Sequence, residues 1–485
     1  MYAVKQAVMS QDHSDAPLEC AIFYMDMRTQ GKDFDRYFKT ARKNGVRFIP
    51  ARIHTIVPIP GTDDLRLSYV DDNGQRHEET FDMVVLSTGL EVRRDTIQLS
   101  NTLGVALDKY HFTRTDSFHP VATSVPGIYA CGVFTGPKDI PQSVMEASAA
   151  ACAAMENLAA ARNTRTNEVK IPTQRDVSRE APRIGVFVCN CGINIGGIVR
   201  VPEVAETART LPGVVYVEEN LFTCSQDTQD KMTAVIREKG LNRVVVAACT
   251  PRTHEALFQE TLINAGLNKY LIEMANIRNQ DSWVHAHDPD AATAKAIDLV
   301  RMAVAKAFLA GPLRETDLPV NSSALVVGGG VAGLTAALSL ARQGYPVHLV
   351  EKSEALGGNA CSLNKTYKGE DIAGFVADLI RQVETEPHLT VHLGTTVSGV
   401  DGFVGNFEST LSNGGLQESL DHGVAILATG AKEDKPQEYL YGEHAAVITQ
   451  LVMDGLLRRN DLWINRAGDV VFIQCVGCRN EAHPY

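Results

Sequence analysis

The chain has 485 residues, of which 44% are hydrophobic and 21% charged, with a formal net charge of -12. At roughly 100–200 residues per domain this length predicts two to four domains, and the acidic balance argues against nucleic-acid binding as a main function. No apolar run reaches the roughly 18 residues of a membrane span, and the start of the chain shows no secretory signal, so a cytoplasmic protein is expected.

Block one, residues 1–165, mixes helices and strands. Buried strands are predicted at 19–27, 45–53 and 81–90, with a helix between the first two. Residues 127–160 then predict a strand, a Gly/Pro loop and an alanine-rich helix. The polar segment 166–183 lacks apolar periodicity and is predicted to be a linker.

Block two, residues 184–317, begins with the strand sequence IGVFVCNCG. Strands and helices then alternate: helix 202–210, strand VVYVEEN, helix 228–239, strand RVVVAAC and a long helix at 291–309. This alternation predicts a parallel sheet covered by helices.

Block three, residues 318–485, opens with a dinucleotide-binding signature. A β-branched strand leads into Gly328-Gly-Gly330-Val-Ala-Gly333, then an Ala/Leu-rich helix, and a second strand ends at Glu351. Such glycines allow a tight turn, close approach to a pyrophosphate and helix–strand packing. The helix N-terminus favours the phosphate, and Glu351 is placed to bind ribose hydroxyls.

Two further loops of block three, at Gly357–Gly358 and Thr429–Gly430, favour FAD over NAD. They resemble the FAD fold of two-dinucleotide-binding flavoproteins such as thioredoxin reductase, although the late flavin-contacting loop is found in block one, ahead of the glycine motif. The candidate FAD-binding residues are Gly328, Gly330, Val331, Ala332, Gly333, Glu351, Lys352, Gly357, Gly358, Thr429 and Gly430, with Gly132 and Lys138 from block one. The predicted fold class is α/β: a Rossmann-like FAD-binding domain plus a separate parallel α/β domain that bears cysteines.

Four of the ten cysteines occur together in block two. Strand ends on one edge of a parallel sheet bring distant residues together, and the candidate ligands here are Cys189, Cys191, Cys224 and Cys249. Four thiolates suit a [4Fe-4S] cluster or zinc, while buried structural cysteines are the third interpretation that spacing leaves open. The isolated cysteines are interpreted as packing residues: Cys20, Cys131, Cys152 and Cys361.

Several long motifs together resemble the A-subunit family of heterodisulfide reductases, which are iron–sulfur flavoproteins. They are IGVFVCNCGINIGGIV, NRVVVAACTPRTHEALF, VVGGGVAGLTAALSLARQGYPVHLVEK, GPKDIPQSVMEASAAA and FIQCVGCRNEAHPY. The resemblance implies FAD, a cluster on the block-two cysteines, partner subunits of a reductase complex, and electron transfer, in several members by flavin-based bifurcation.

The same resemblance identifies Cys475 as the first ligand of a second cluster motif and Cys478 as a departure from the family's usual serine. Its remaining ligands would stand after Tyr485 and before a residue like Met1, so this second cluster is expected to be absent or incomplete. The chain therefore resembles a fragment spanning two tandem copies, and we expect blocks one and three to form one composite flavin domain. Two other functions stay open: a redox-inactive scaffold and a stand-alone FAD-dependent NAD(P)H:disulfide oxidoreductase.

Overall fold

The computed structural model describes residues 1–29, 31, 33–167 and 169–477. The chain divides into two compact units. Unit 1 combines Met1–Arg162 with Pro319–Tyr485, and unit 2 is the continuous segment Asn163–Leu318. Within the described ranges, no helix has the length and apolar character needed to cross a membrane.

The first segment of unit 1 contains a small parallel sheet and an antiparallel meander. Its elements are α1 Tyr2–His13, β1 Ala21–Tyr24, α2 Phe34–Lys43, β2 Arg47–Pro50, β3 Arg52–Pro58, β4 Leu65–Val70, β5 Arg76–Phe81, α3 Arg94–Leu103 and α4 Ile140–Leu158. Strands β1 and β2 pair in parallel, and β3, β4 and β5 pair antiparallel. Helix α4 begins where the Asp139 side chain accepts a hydrogen bond from the Gln142 N–H, which satisfies one free donor of its first turn.

The predicted buried strand at 81–90 is wrong. Strand β5 ends at Phe81, and the described residues from there to Leu90 form no strand. Met83 is 76% exposed and Leu86 is 72% exposed. The apolar pattern of this segment is that of a buried strand, but a strand forms only where another strand accepts its backbone hydrogen bonds. The described residues provide no such partner here.

Unit 2 is a four-stranded parallel sheet with helices. Its elements are β6 Ile184–Cys189, α5 Val201–Arg209, β7 Val214–Asn220, α6 Gln226–Glu238, β8 Arg243–Ala248, α7 Pro251–Asn264, β9 Ile272–Asn276 and α8 Pro289–Leu309. The strand order is β7-β6-β8-β9. The predicted alternation is confirmed, and β9 is a further strand that the sequence does not predict.

The core of unit 2 follows from the composition of its two central strands. Every residue of β6 and of β8 is buried, as expected for a parallel sheet covered on both faces. Phe187 and Phe258 are the largest of its fully buried side chains. The polar segment at 166–183 has no helix or strand among its described residues, yet it contributes Val177 to this core.

The last segment supplies the main sheet of unit 1. Its elements are β10 Ala324–Val327, α9 Val331–Arg342, β11 Val347–Val350, α10 Ile372–Thr385, β12 Leu389–His392, β13 Thr396–Phe403, β14 Asn406–Asn413, β15 Leu416–His422, β16 Val424–Leu427, α11 Gln450–Arg458 and α12 Leu462–Arg466. The parallel sheet has the order β12-β11-β10-β16, and β13, β14 and β15 form an antiparallel sheet.

The two segments of unit 1 pack on each other through α4 and α9. Cys152 Sγ lies 3.2 Å from Ser339 Oγ, and one turn further along, Arg342 donates to the Glu156 carboxylate at 3.1 Å. Because both helices advance in the same direction through these contacts, their N-termini lie at the same end of the pair. The unit is therefore one body built from both ends of the chain.

We expect Phe187→Ala to lower the free energy of unfolding of unit 2 by about 3–5 kcal/mol, because a fully buried ring is replaced by a cavity. Chemical denaturation of the full chain measures this loss. Val215→Ala is the matched control, because Val215 is 47% exposed on the neighbouring strand and its truncation should change stability by about 0.5 kcal/mol or less. Equal effects of the two substitutions would contradict the assignment of this core.

Candidate functional site

The turn between β10 and α9 requires glycine at its first and last positions. Gly328 has φ +113°, and a Cβ there would lie 2.3 Å from the Ala428 carbonyl oxygen. A Cβ on Gly333 would lie 1.8 Å from the Gly328 carbonyl oxygen. These two glycines therefore let strand, turn and helix approach each other closely.

Gly330 is different, because no described residue requires glycine there. Its φ is -77°, which any residue adopts, and a Cβ there would meet no atom of the described residues within 4 Å. It stands at the N-terminus of α9, and Val331, Ala332 and Gly333 follow in the first turn. A helix start presents free N–H groups and the positive end of the helix dipole. The turn thus leaves open space directly in front of an anion-binding helix end.

Glu351, at the end of β11, closes one side of this turn. It is buried, and its Oε2 accepts the Gly329 N–H at 2.6 Å while its Oε1 accepts the Ser353 N–H at 2.8 Å. Burial acts to raise the pKa of Glu351, but the bonds from Ser353 and Gly329 outweigh it and hold the pKa below its usual range. The carboxylate therefore stays ionised beside the turn. Lys352 is exposed.

Two further predicted loops lie against the same turn. Gly357 N–H donates to the Gly329 carbonyl at 2.7 Å, and a Cβ on Gly358 would lie 3.2 Å from the Gly330 Cα. On the other side, β16 runs beside β10, and Ala428 N–H donates to the Val327 carbonyl at 2.8 Å. The structure thereby brings three separate loops together at the carboxyl edge of the sheet. Thr429 and Gly430 directly follow Ala428 in the third of them.

Gly132 and Lys138 form a polar network in their own segment. Glu146 accepts the Gly132 N–H at 2.9 Å and the Thr135 hydroxyl at 3.0 Å, and it forms an ion pair with the nearly buried Lys138. This network lies at the start of α4. Since α4 and α9 run in the same direction, it belongs to the end of the helix pair that carries the glycine-rich turn.

The four cysteines of unit 2 occupy strand ends, or the loops that follow them, on one edge of its sheet. Cys189 is the last residue of β6, where it lies opposite Asn220 of β7. Cys249 directly follows β8, which pairs with β6 on its other side. Cys191 N–H donates to the Leu221 carbonyl at 2.8 Å, which ties the loops after β6 and β7 together. Cys224 follows in the second of these loops.

The thiols influence one another. Thr223 N–H donates to the Cys189 sulfur at 3.5 Å. Burial raises the pKa of Cys224 and of Cys249, and neighbouring thiols add to the rise, whereas Arg278 opposes it. Cys189 and Cys249 are buried, and Cys224 is exposed.

A [4Fe-4S] cluster fits the chemistry of this set, because it takes four thiolates, and N–H groups on sulfur stabilise its charge. In the part of the chain that the structure describes, no three His, Cys, Asp or Glu side chains form a ready-made metal site. Because the pKa values of Cys224 and Cys249 are raised, these thiols are protonated in the absence of metal. They lose their protons when metal binds.

Asp281 lies at the same edge and was not predicted. It belongs to a single π-helical turn, Arg278–Ser282, that follows β9. Its side chain is completely buried, and neither carboxylate oxygen has a hydrogen-bond partner among the described residues. Burial raises the pKa of Asp281 to about 6, although Lys295 and His285 act in the opposite direction. A local sequence pattern carries no sign of this burial.

The remaining cysteines lie in unit 1. Cys20 and Cys152 are half-buried, in line with a packing role, whereas Cys131 and Cys361 are exposed, so the packing interpretation is wrong for these two. Cys475 is exposed and has φ +63°. Cys478 lies outside the described residues.

The family of pyridine nucleotide-disulphide oxidoreductases matches this chain at residues 26–151 and 322–456. Both matched segments lie in unit 1, one in each of its two parts.

Curated relatives extend the comparison. The second iron-sulfur A subunit of CoB–CoM heterodisulfide reductase from Methanopyrus kandleri is 48% identical over 232 residues, covering 48% of this chain and 35% of the relative. A protein of Archaeoglobus profundus that is named as similar to the heterodisulfide reductase A subunit is 46% identical over 233 residues, covering 48% of this chain and 33% of the relative.

The chain spans about a third of the length of these relatives. Its resemblance to the A subunits of heterodisulfide reductases is confirmed. The two matched segments together cover more than half of the chain, which therefore belongs to the pyridine nucleotide-disulphide oxidoreductase family.

Proposed function

We propose that this chain is an electron-transfer component of a heterodisulfide-reductase-like oxidoreductase, with FAD bound by unit 1 and a [4Fe-4S] cluster bound by unit 2. The observation that carries the proposal is Gly330. A Cβ at this position would touch no atom of the described residues, so the backbone of the turn is open to the close approach of a ligand. A pyrophosphate at a helix N-terminus is the ligand that this type of turn accepts.

The residues around the turn have distinct roles in this proposal. The free N–H groups of Val331 and Ala332 face the phosphates, while Glu351 is ionised and supplies an acceptor for ribose hydroxyls. The Gly357–Gly358 loop and Thr429–Gly430 are proposed to complete the FAD site from the two neighbouring loops. Lys138 stands just before α4 and forms an ion pair with Glu146. The start of α4 is therefore a second helix N-terminus at the end of the helix pair that carries the glycine-rich turn.

FAD, when bound, exchanges either an electron pair or single electrons. This property suits simple electron transfer and also flavin-based bifurcation. The names of the relatives describe subunits of heterodisulfide reductases, so partner subunits that donate and accept electrons are part of the proposal.

The glycine-rich turn allows a sharp test of FAD binding. Gly330→Ala should leave the melting temperature of the FAD-free chain unchanged, because its Cβ enters open space, and should weaken FAD binding about tenfold or more, a loss of about 1.4 kcal/mol or more. Gly333→Ala should lower both the melting temperature and the FAD affinity, because its Cβ meets the Gly328 carbonyl. Thermal melting and titration of flavin fluorescence measure the two quantities.

Gly468→Ala is the matched control, because a Cβ at Gly468 also meets nothing within 4 Å and the residue lies outside the proposed site. Wild-type FAD affinity in Gly330→Ala would disprove the assignment of the turn. So would a purified chain that takes up no FAD.

Iron analysis tests the second half of the proposal. After anaerobic reconstitution we expect about four irons per chain and loss of most of that iron in Cys189→Ser and in Cys249→Ser, because each removes one thiolate. Cys20→Ser should keep the wild-type content, since Cys20 lies in unit 1 and packs among apolar side chains. Iron and acid-labile sulfide assays give the result, and a chain without iron would instead favour the scaffold function.

A further inference from the structure

Asp281 is a carboxyl group whose surroundings do not satisfy its charge. Within the described chain both oxygens lack a hydrogen-bond donor, and the side chain has no exposed surface. An ionised carboxylate in such a place is expensive unless it is paired. A protonated one is less so, because it carries no net charge. The site therefore favours the protonated form, in line with the raised pKa of about 6 for Asp281.

The turn that holds Asp281 contacts the loops that hold the thiols. Ile277 N–H donates to the Ala248 carbonyl at 2.9 Å, one residue before Cys249. Ser282 Oγ donates to the Asn194 carbonyl at 2.6 Å, in the loop that follows Cys191. Backbone and side chain thus tie this turn to two of the three strand ends that the thiols follow.

The charged groups around Asp281 come from three elements. Its own turn contributes Arg278, which acts on the thiols and stacks over Trp283 at 4.9 Å. The next turn contributes His285, and α8 contributes Lys295, whose Nζ lies 3.5 Å from His285 Nε2. The remaining charged residues of α8 and β9 are engaged elsewhere, in the pairs Asp290–Arg200, Asp298–Arg301 and Lys306–Glu273.

We propose that Asp281 is the proton-accepting group of the thiol edge, binding a proton from solvent more tightly once a one-electron reductant has added an electron there. This inference rests on the proposed cluster in unit 2. One O–H bond forms on the carboxylate and no bond in the protein breaks. His285 and Lys295 are half-buried and act on Asp281, and we assign its proton path to them.

Charge explains the coupling. One added electron makes the edge more negative by one charge, and a negative charge at about 10 Å in a medium of effective dielectric about 20 raises the proton affinity of a carboxylate roughly tenfold. The proton occupancy of the Asp281 carboxylate therefore rises when the electron arrives. Arg278 moderates the effect but cannot itself release a proton.

The test is a redox titration of the reconstituted full chain at several pH values, followed by the EPR signal of the reduced cluster. Tenfold tighter proton binding corresponds to a total fall of about 59 mV in midpoint potential for a one-electron couple. We expect this fall between pH 5 and pH 10 in the wild type, because the negative charge of the cluster itself also raises the proton affinity of Asp281, and a constant potential in Asp281→Asn. Asp298→Asn removes an exposed carboxylate of the same unit and should behave like the wild type.

His285→Gln removes the imidazole near Asp281, and it should keep the fall in potential if Asp281 binds the proton. A flat wild-type potential would overturn the inference, as would a fall that survives in Asp281→Asn or disappears only in His285→Gln. A chain without iron or EPR signal would instead show that the proposed cluster itself is wrong, and the inference would go with it.

Unfolding at different pH values checks the titration without any metal. The pKa of Asp281 is raised on folding, so its stabilising contribution is full below about pH 4 and is lost as pH rises through about 6. The ratio of folding equilibrium constants of Asp281→Asn and wild type should therefore rise on the order of a hundredfold between pH 4 and pH 7. Fluorescence of the neighbouring Trp283 reports the transition, and a constant ratio would contradict the inference.

Discussion

Parallel pairing around one central strand is the constraint on which both units depend. In each of the two four-stranded parallel sheets, the strand that comes first in the sequence has a partner on both sides. This strand is β10 in unit 1 and β6 in unit 2. Its carboxyl end therefore lies where the chain connections depart in opposite directions. Ligands of open α/β sheets bind at such points. The backbone hydrogen bonds that hold the strands in register therefore also place Gly328 beside Ala428 and Cys189 beside the loops of its neighbours. The candidate sites of the two units differ in their residues, but the geometric reason for their position is the same.

The elements that the sequence predicts well are those whose burial shows in every residue. Strands β6 and β8 contain almost no polar side chain and are buried on both faces, so their pattern has one interpretation. The glycine motif is predictable for a related reason, because tight turns exclude other residues. Strand β9 was missed because its sequence, IEMAN, includes a glutamate and an asparagine, and such short mixed segments do not separate strand from loop.

Other features could not be predicted because they depend on distant parts of the chain. The apolar segment at 81–90 has the composition of a strand, but pairing needs a neighbour that the local sequence does not specify. Asp281 stands in the polar run RNQDSW, and polar runs usually lie at the surface. Its burial follows from the packing of the turn after β9 against α8. The sequence predicts that the four cysteines of unit 2 meet at one edge of its sheet. Their spacing does not say which of the sulfur atoms accept hydrogen bonds from backbone N–H groups.

The division of unit 1 between the two ends of the chain bears on how the protein folds. Its halves meet through contacts such as the one between Cys152 and Ser339. In the sequence, the whole of unit 2 lies between these two residues. Closing a flexible loop of roughly 150 residues carries an entropy penalty of about 4 kcal/mol. Unit 2 is continuous in sequence and its strands join near neighbours, so it is free to form first and to shorten that loop. Contacts between distant segments slow folding, which makes the α4–α9 interface the expected late step in the assembly of the protein.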